Sequence, residues 1–136
     1  MNRCSALVMI VFAGVFAGAT SFAQGRPHDE VMRDIQTAYR SLGETLEANE
    51  PSAAVNNATQ LEGFFREIEA FWTRLETQDA MGFAREAAEA AASVAASTGE
   101  EDFDAAKVPY EAIGDSCGSC HSAHREQIEQ GFRIKP

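Results

Sequence analysis

The sequence concentrates its ligand-forming side chains in Cys117-Gly118-Ser119-Cys120-His121, followed closely by His124 and Arg125. Two thiols three residues apart, with an imidazole beside them, fit three chemistries. On a helix, positions three and four apart share a face. Both thiols can then reach the two vinyl groups along one edge of a porphyrin, and His121, four residues after Cys117, can turn its imidazole towards the iron. This is the attachment pattern of c-type haem. A redox-active Cys-x-x-Cys usually opens a helix in a βαβ setting, but no strand pattern precedes Cys117 and Asp115 does not favour a thiolate. A zinc site from Cys117, Cys120, His121 and His124 has suitable atoms. All four fall within about two turns of one helix, which wraps a tetrahedral ion poorly. One haem, held through two thioethers, ranks first.

The elements that must position this motif are helical. Apolar residues recur at steps of three and four almost throughout. Segment A spans about His28 to Ala48, with Met32, Ile35, Tyr39, Leu42 and Leu46 on one face. Asn49-Glu50-Pro51-Ser52 ends it. Segment B, from Ser52 or Ala53 to Thr77, carries the heaviest stripe: Leu61, Phe64, Phe65, Ile68, Phe71, Trp72 and Leu75. It is expected deepest in the core, with a close neighbour at Gly63. Segment C, from Gln78 to Ala96, presents a thin alanine face (Ala84, Ala87, Ala88, Ala91, Val94, Ala95) and stops at Ser97-Thr98-Gly99. Segment D runs from Glu101 or Asp102 to about Gln130, kinked or broken near Pro109. Gly131 closes it, leaving a short tail to Pro136. Four amphipathic segments with short polar joints predict an all-α antiparallel four-helix bundle, whose cofactor sites lie between facing helices.

The first residues are set apart from that domain. Arg3 is followed by an apolar run from Ala6 to Ala19 and a small-x-small site, Ser21-Phe22-Ala23. This is the layout of a secretory signal peptide; the run is somewhat short for a membrane span of about 20 residues. Residues 1–23 are read as the leader and 24–136 as the domain, with cleavage after Ala23. Of 136 residues, 113 then remain, and Cys4 leaves with the leader. Losing Arg3 leaves 10 basic against 21 acidic residues, a net charge of −11. Such a surface repels nucleic acid and anionic membranes and suits redox partner proteins with a basic docking surface. Export to the periplasm agrees with haem attachment, which happens outside the cytoplasm.

The stretch Cys117-Gly118-Ser119-Cys120-His121-Ser122-Ala123-His124-Arg125, in the last helix of an all-helical exported chain, resembles the class II cytochromes c. These are cytochrome c′ and its low-spin relatives of the cytochrome c-556 type. Ala112-Ile113-Gly114 is also similar to that family's approach to the motif. The family continues, two residues after the histidine, with an aromatic and then arginine; here His124 replaces the aromatic and Arg125 is retained. The resemblance is sharp over about Val108 to Arg125 and elsewhere is one of pattern and length. It implies a left-twisted bundle with haem between the helices, often as a homodimer. It also implies that the sixth iron position is either empty, for binding a diatomic gas such as nitric oxide, or filled by a methionine of the first helix.

His121 is the expected axial ligand, and Met32, near the start of segment A where the family's distal residue sits, is the candidate sixth ligand; its bland alternative is a core methionine. Tyr39 is expected against the porphyrin, and Met81 in the core or at the surface. His28, four residues before Met32, is a competing ligand or propionate partner, or simply a solvated side chain. His124 is expected to flank the site, and Arg125 to sit by the proximal imidazole or a propionate. Arg33, Arg40 and Arg66 are further propionate candidates. Phe64, Phe65, Phe71 and Trp72 are read as core. No acid–base pair or nucleophile beside an open site suggests an enzyme. The expected function is low-spin, His/Met-ligated electron transfer, with a five-coordinate gas-binding protein as the alternative.

Overall fold

The computed structural model of the chain describes residues 25–136, so the expected leader lies outside the described residues. Four helices follow one another: α1 (His28–Glu47), α2 (Pro51–Arg74), α3 (Gln78–Gly99) and α4 (Phe103–His124). Residues 48–50, 75–77 and 100–102 join them. Each turn places its middle residue in the left-handed region: Asn49, Glu76 and Glu101 have φ of 53°, 55° and 60°. Turns this short make consecutive helices antiparallel. Pro51 begins α2, where a missing N–H costs nothing. The Asp102 carboxylate caps α4 by accepting from the Ala105 N–H at 2.9 Å.

The core follows the apolar stripes. Val31, Ile35, Ala38 and Leu42 of α1 are buried, as are Leu61, Phe65, Ile68 and Trp72 of α2. The alanines of α3 (Ala80, Ala84, Ala87, Ala88, Ala91) are buried too, and α2 and α3 form the most extensive helix pair. Small side chains on one helix let the large ones of its neighbour fill the gap between the backbones. Trp72 is 2% exposed, and truncating such a residue to alanine costs about 3–5 kcal/mol. By contrast, α1 meets α4 far less than consecutive helices meet. The bundle is therefore open along the α1–α4 seam.

The C-terminus departs from expectation. Segment D ends as a helix at His124, not at Gln130, and Arg125–Ile128 (β1) pairs antiparallel with Gly131–Ile134 (β2). Gly131, with φ of +118°, takes a conformation that costs a side-chain-bearing residue heavily. Glu and Gln are good helix formers, but propensity is a weak prior. Here it is overridden by an Arg133–Glu126 ion pair and by a Lys135 N–H donated to the His124 carbonyl at 2.8 Å. Pro109 does not break α4, which is continuous across it. Likewise α3 runs through Gly99 rather than stopping before it. Gly63 has no close neighbour among the described residues: a Cβ there would meet none of them within 4 Å, because the position faces outward. Among the described residues, no helix is long and apolar enough to cross a membrane.

Candidate cofactor site

The open seam holds a cavity of about 820 Å³, within the range of about 300–1,000 Å³ typical of ligand and cofactor sites. One wall is α4. Its turn from Gly114 to His121 puts Cys117, Cys120 and His121 on the cavity, as the three-and-four spacing requires. The facing wall is α1, with His28, Met32 and Tyr39. Phe65, Ile68 and Trp72 of α2, with Phe83, Ala84 and Ala87 of α3, form an apolar floor. The hairpin closes one end through Arg125, Phe132, Arg133 and Ile134.

Burial pushes both thiols up, Cys117 to about 11 and Cys120 to about 11, the latter also through the charges of Cys117 and Asp79. A nucleophilic redox cysteine needs the opposite shift, so this pair is poorly suited to thiol–disulfide exchange. Among the described residues, no group of three or more His, Cys, Asp or Glu side chains is placed to hold a metal ion directly. His121 is pushed down first by desolvation and then by the Arg125 charge, so its imidazole is held in the neutral form that binds metals.

Tyr39 bridges the seam. Its hydroxyl donates to the Tyr110 carbonyl at 3.4 Å, and the Tyr110 hydroxyl to the Tyr39 carbonyl at 3.5 Å. The Tyr39 phenol is pushed up by burial and then by its Tyr110 contact. Nearby, the Nε2 of His28 and the Nε1 of Trp72 are buried without a hydrogen-bond partner among the described residues. Unpaired buried nitrogens are uncommon enough to need a reason, and both side chains border the cavity. His28 packs at a tilt against Phe71, 4.6 Å between centroids, and is half-buried, where a solvated side chain was one expectation. Desolvation is the main cause lowering its basicity.

Of the residues expected from sequence, Cys117, Cys120, His121, Arg125, Met32, Arg33 and Tyr39 all border this one cavity. Arg40 and Arg66 do not, and Arg66 is engaged by Glu69 and Glu62. Met81 packs against the core. Phe64 lies beneath the Arg26 guanidinium. His124 is buried at the rim: its Nδ1 meets the Lys135 carbonyl at 2.9 Å and its Nε2 the Asp79 carboxylate at 3.0 Å. Sequence reasoning missed Asp79 and the hairpin residues Phe132, Arg133 and Ile134. The alternation of Phe132 and Ile134 after Gly131 was the available signal.

The residues present fit a haem. Two free thiols and a neutral imidazole share one wall, a thioether faces them, and cations stand at one end. Comparison with protein-family models, curated proteins and solved structures returned no match.

Proposed function

We propose that this chain is an exported, periplasmic c-type cytochrome that transfers electrons, carrying one haem through thioethers from Cys117 and Cys120, with His121 and Met32 as axial ligands. One arrangement carries the reading: Cys117, Cys120 and His121 line one wall of an 820 Å³ cavity and Met32 lines the wall opposite. A haem held by these residues would supply a one-electron couple, and ligation by His121 and Met32 would favour a low-spin centre of raised potential.

The chain's own residues have separate tasks. Cys117 and Cys120 fix the group in register with α4. His121, kept neutral by burial and by Arg125, offers a lone pair. Phe65, Ile68 and Trp72 exclude water from the floor, which limits solvent reorganisation around the couple. Met32 is the donor on α1 that we assign to the sixth position. His28 shares that wall, but its Nε2 is buried and its ring packs at a tilt against Phe71. The net charge of −11 for the exported chain favours basic redox partners.

Covalent attachment is tested by extracting protein from the periplasm with acidified acetone. The haem stays with the polypeptide if the reading holds. Release of the colour into the acetone would overturn it.

A further inference from the structure

We propose that the C-terminal hairpin belongs to the cofactor site, with Phe132 as a positioning residue whose ring holds the Arg125 guanidinium at the cavity for a carboxylate of the bound tetrapyrrole. The inference rests on the haem reading above.

Geometry is the first support. The Arg125 guanidinium lies over the Phe132 ring, 3.4 Å from its centroid, and both side chains line the cavity. Arg125 opposes Ile134, and Phe132 opposes Gln127. Arg125 and Phe132 are thus diagonal neighbours on one face of the hairpin, within reach for long and aromatic side chains. Had α4 continued, seven residues of helix would separate them by about 10 Å along the axis. The stack exists because the chain turns back.

Charge is the second. Among the described residues, the cavity is lined by Arg33, Arg125 and Arg133 against a single carboxylate, Asp29, in a chain with 21 acidic residues. Arg33 pairs with Asp29 and Arg133 with Glu126. Arg125 has no carboxylate partner among the described residues. A guanidinium presents a planar fork that matches a carboxylate. Arg125 is exposed at the rim of the cavity, so its fork is open to an anionic occupant.

Anchorage is the third. A lone two-stranded hairpin is marginal in water, yet β2 is fastened at its end. The Lys135 N–H donates to the His124 carbonyl, the His124 ring meets the Lys135 carbonyl, and the same ring meets Asp79 at the start of α3. Phe132 inherits a fixed place from these bonds. It is 56% exposed, so shortening it leaves the helical core intact.

The test uses the exported, haem-loaded protein and follows reduction potential against pH for the wild type, Arg125→Gln, Phe132→Leu and Phe132→Tyr. Ionisation of a haem carboxylate favours the oxidised form, so the potential falls as pH rises through it. A nearby cation favours that ionisation, moving it to lower pH by at least about one unit. Arg125→Gln and Phe132→Leu should both move the falling limb upward by about one pH unit, while Phe132→Tyr should keep the wild-type profile. A wild-type profile in Phe132→Leu beside a shifted one in Arg125→Gln overturns the positioning role. Unchanged profiles in both overturn the carboxylate contact. Absence of covalent haem is seen before any potential is measured, and overturns the parent reading instead.

Discussion

Tyr39 of α1 and Tyr110 of α4 stack with ring centroids 4.6 Å apart and planes 8° from parallel, each hydroxyl pointing at the other residue's carbonyl. The pair spans a seam where the two helices otherwise touch little. It sets the width of the cavity at the end away from the hairpin. Two glycines make room for it. A Cβ on Gly43 would lie 2.5 Å from the Tyr110 hydroxyl, and one on Gly114 2.9 Å from the Tyr39 hydroxyl. Gly114, three residues before Cys117, thus couples the Cys117–His121 stretch to α1.

Substituting these glycines should separate packing from helix propensity. Gly114→Ala gains about 1 kcal/mol of helix propensity but loses about 1–3 kcal/mol by overpacking, so a net loss is expected. Gly63→Ala meets no neighbour and should stabilise by about 1 kcal/mol. Urea denaturation of both variants reads the contrast. A Gly114→Ala protein as stable as Gly63→Ala would mean that the tyrosine stack yields freely.

Most of the frame was legible because helical periodicity is a local property. The stripe of Leu61, Phe65, Ile68 and Trp72 became the buried face of α2, and the Cys117–His121 spacing put Cys117, Cys120 and His121 on one cavity wall. The end of α4 was not legible. Glu126, Gln127, Glu129 and Gln130 favour a helix locally, whereas the hairpin depends on contacts with His124 and Asp79, 45 residues apart in sequence. The Gly63 expectation failed for a related reason. Position 63 lies beside the stripe on the helical wheel, and only the packed structure shows which flank faces outward.

The sixth position can be read by optical spectroscopy. Met32 and His28 are the α1 residues bordering the cavity whose sulfur or imidazole nitrogen suits iron, whereas the Tyr39 hydroxyl is taken up by the Tyr110 carbonyl. The reduced wild type should show the sharp α-band of a low-spin haem. Met32→Ala should lose it and become five-coordinate, whereas His28→Ala should keep it. The reverse pattern assigns His28 to the iron. A wild type already high-spin, and unchanged by Met32→Ala, would favour the gas-binding alternative.

Acid should loosen the hairpin anchor at a defined point. Partial desolvation raises the Asp79 carboxyl, but the His124 ring and the Ala80 N–H outweigh it and hold it below the ordinary carboxylate range. A depressed acid contributes stability above its unfolded value of 3.8, and that contribution is lost as pH falls through the lower folded value. Hydrogen exchange at the β1–β2 amides should therefore accelerate, relative to the helices, as pH drops below about 4. In Asp79→Asn, which removes the charge at every pH, this acid-linked step should vanish. A step that persists in Asp79→Asn would have to come from another group.

The thiols offer the last test, on chain made in the cytoplasm without haem. With both cysteines pushed up to about 11, the thiolate fraction near pH 7 is on the order of 10⁻⁴. Alkylation by iodoacetamide should be slow there and should rise about tenfold per pH unit until the thiols ionise. A redox-active pair would instead alkylate quickly at neutral pH, with its rate levelling off near 7. Chain recovered from the periplasm should not alkylate even after unfolding, because both sulfurs are then thioethers. Rapid neutral-pH modification of the haem-free chain would restore the redox reading, and two reactive thiols in unfolded periplasmic chain would exclude attachment at Cys117 and Cys120.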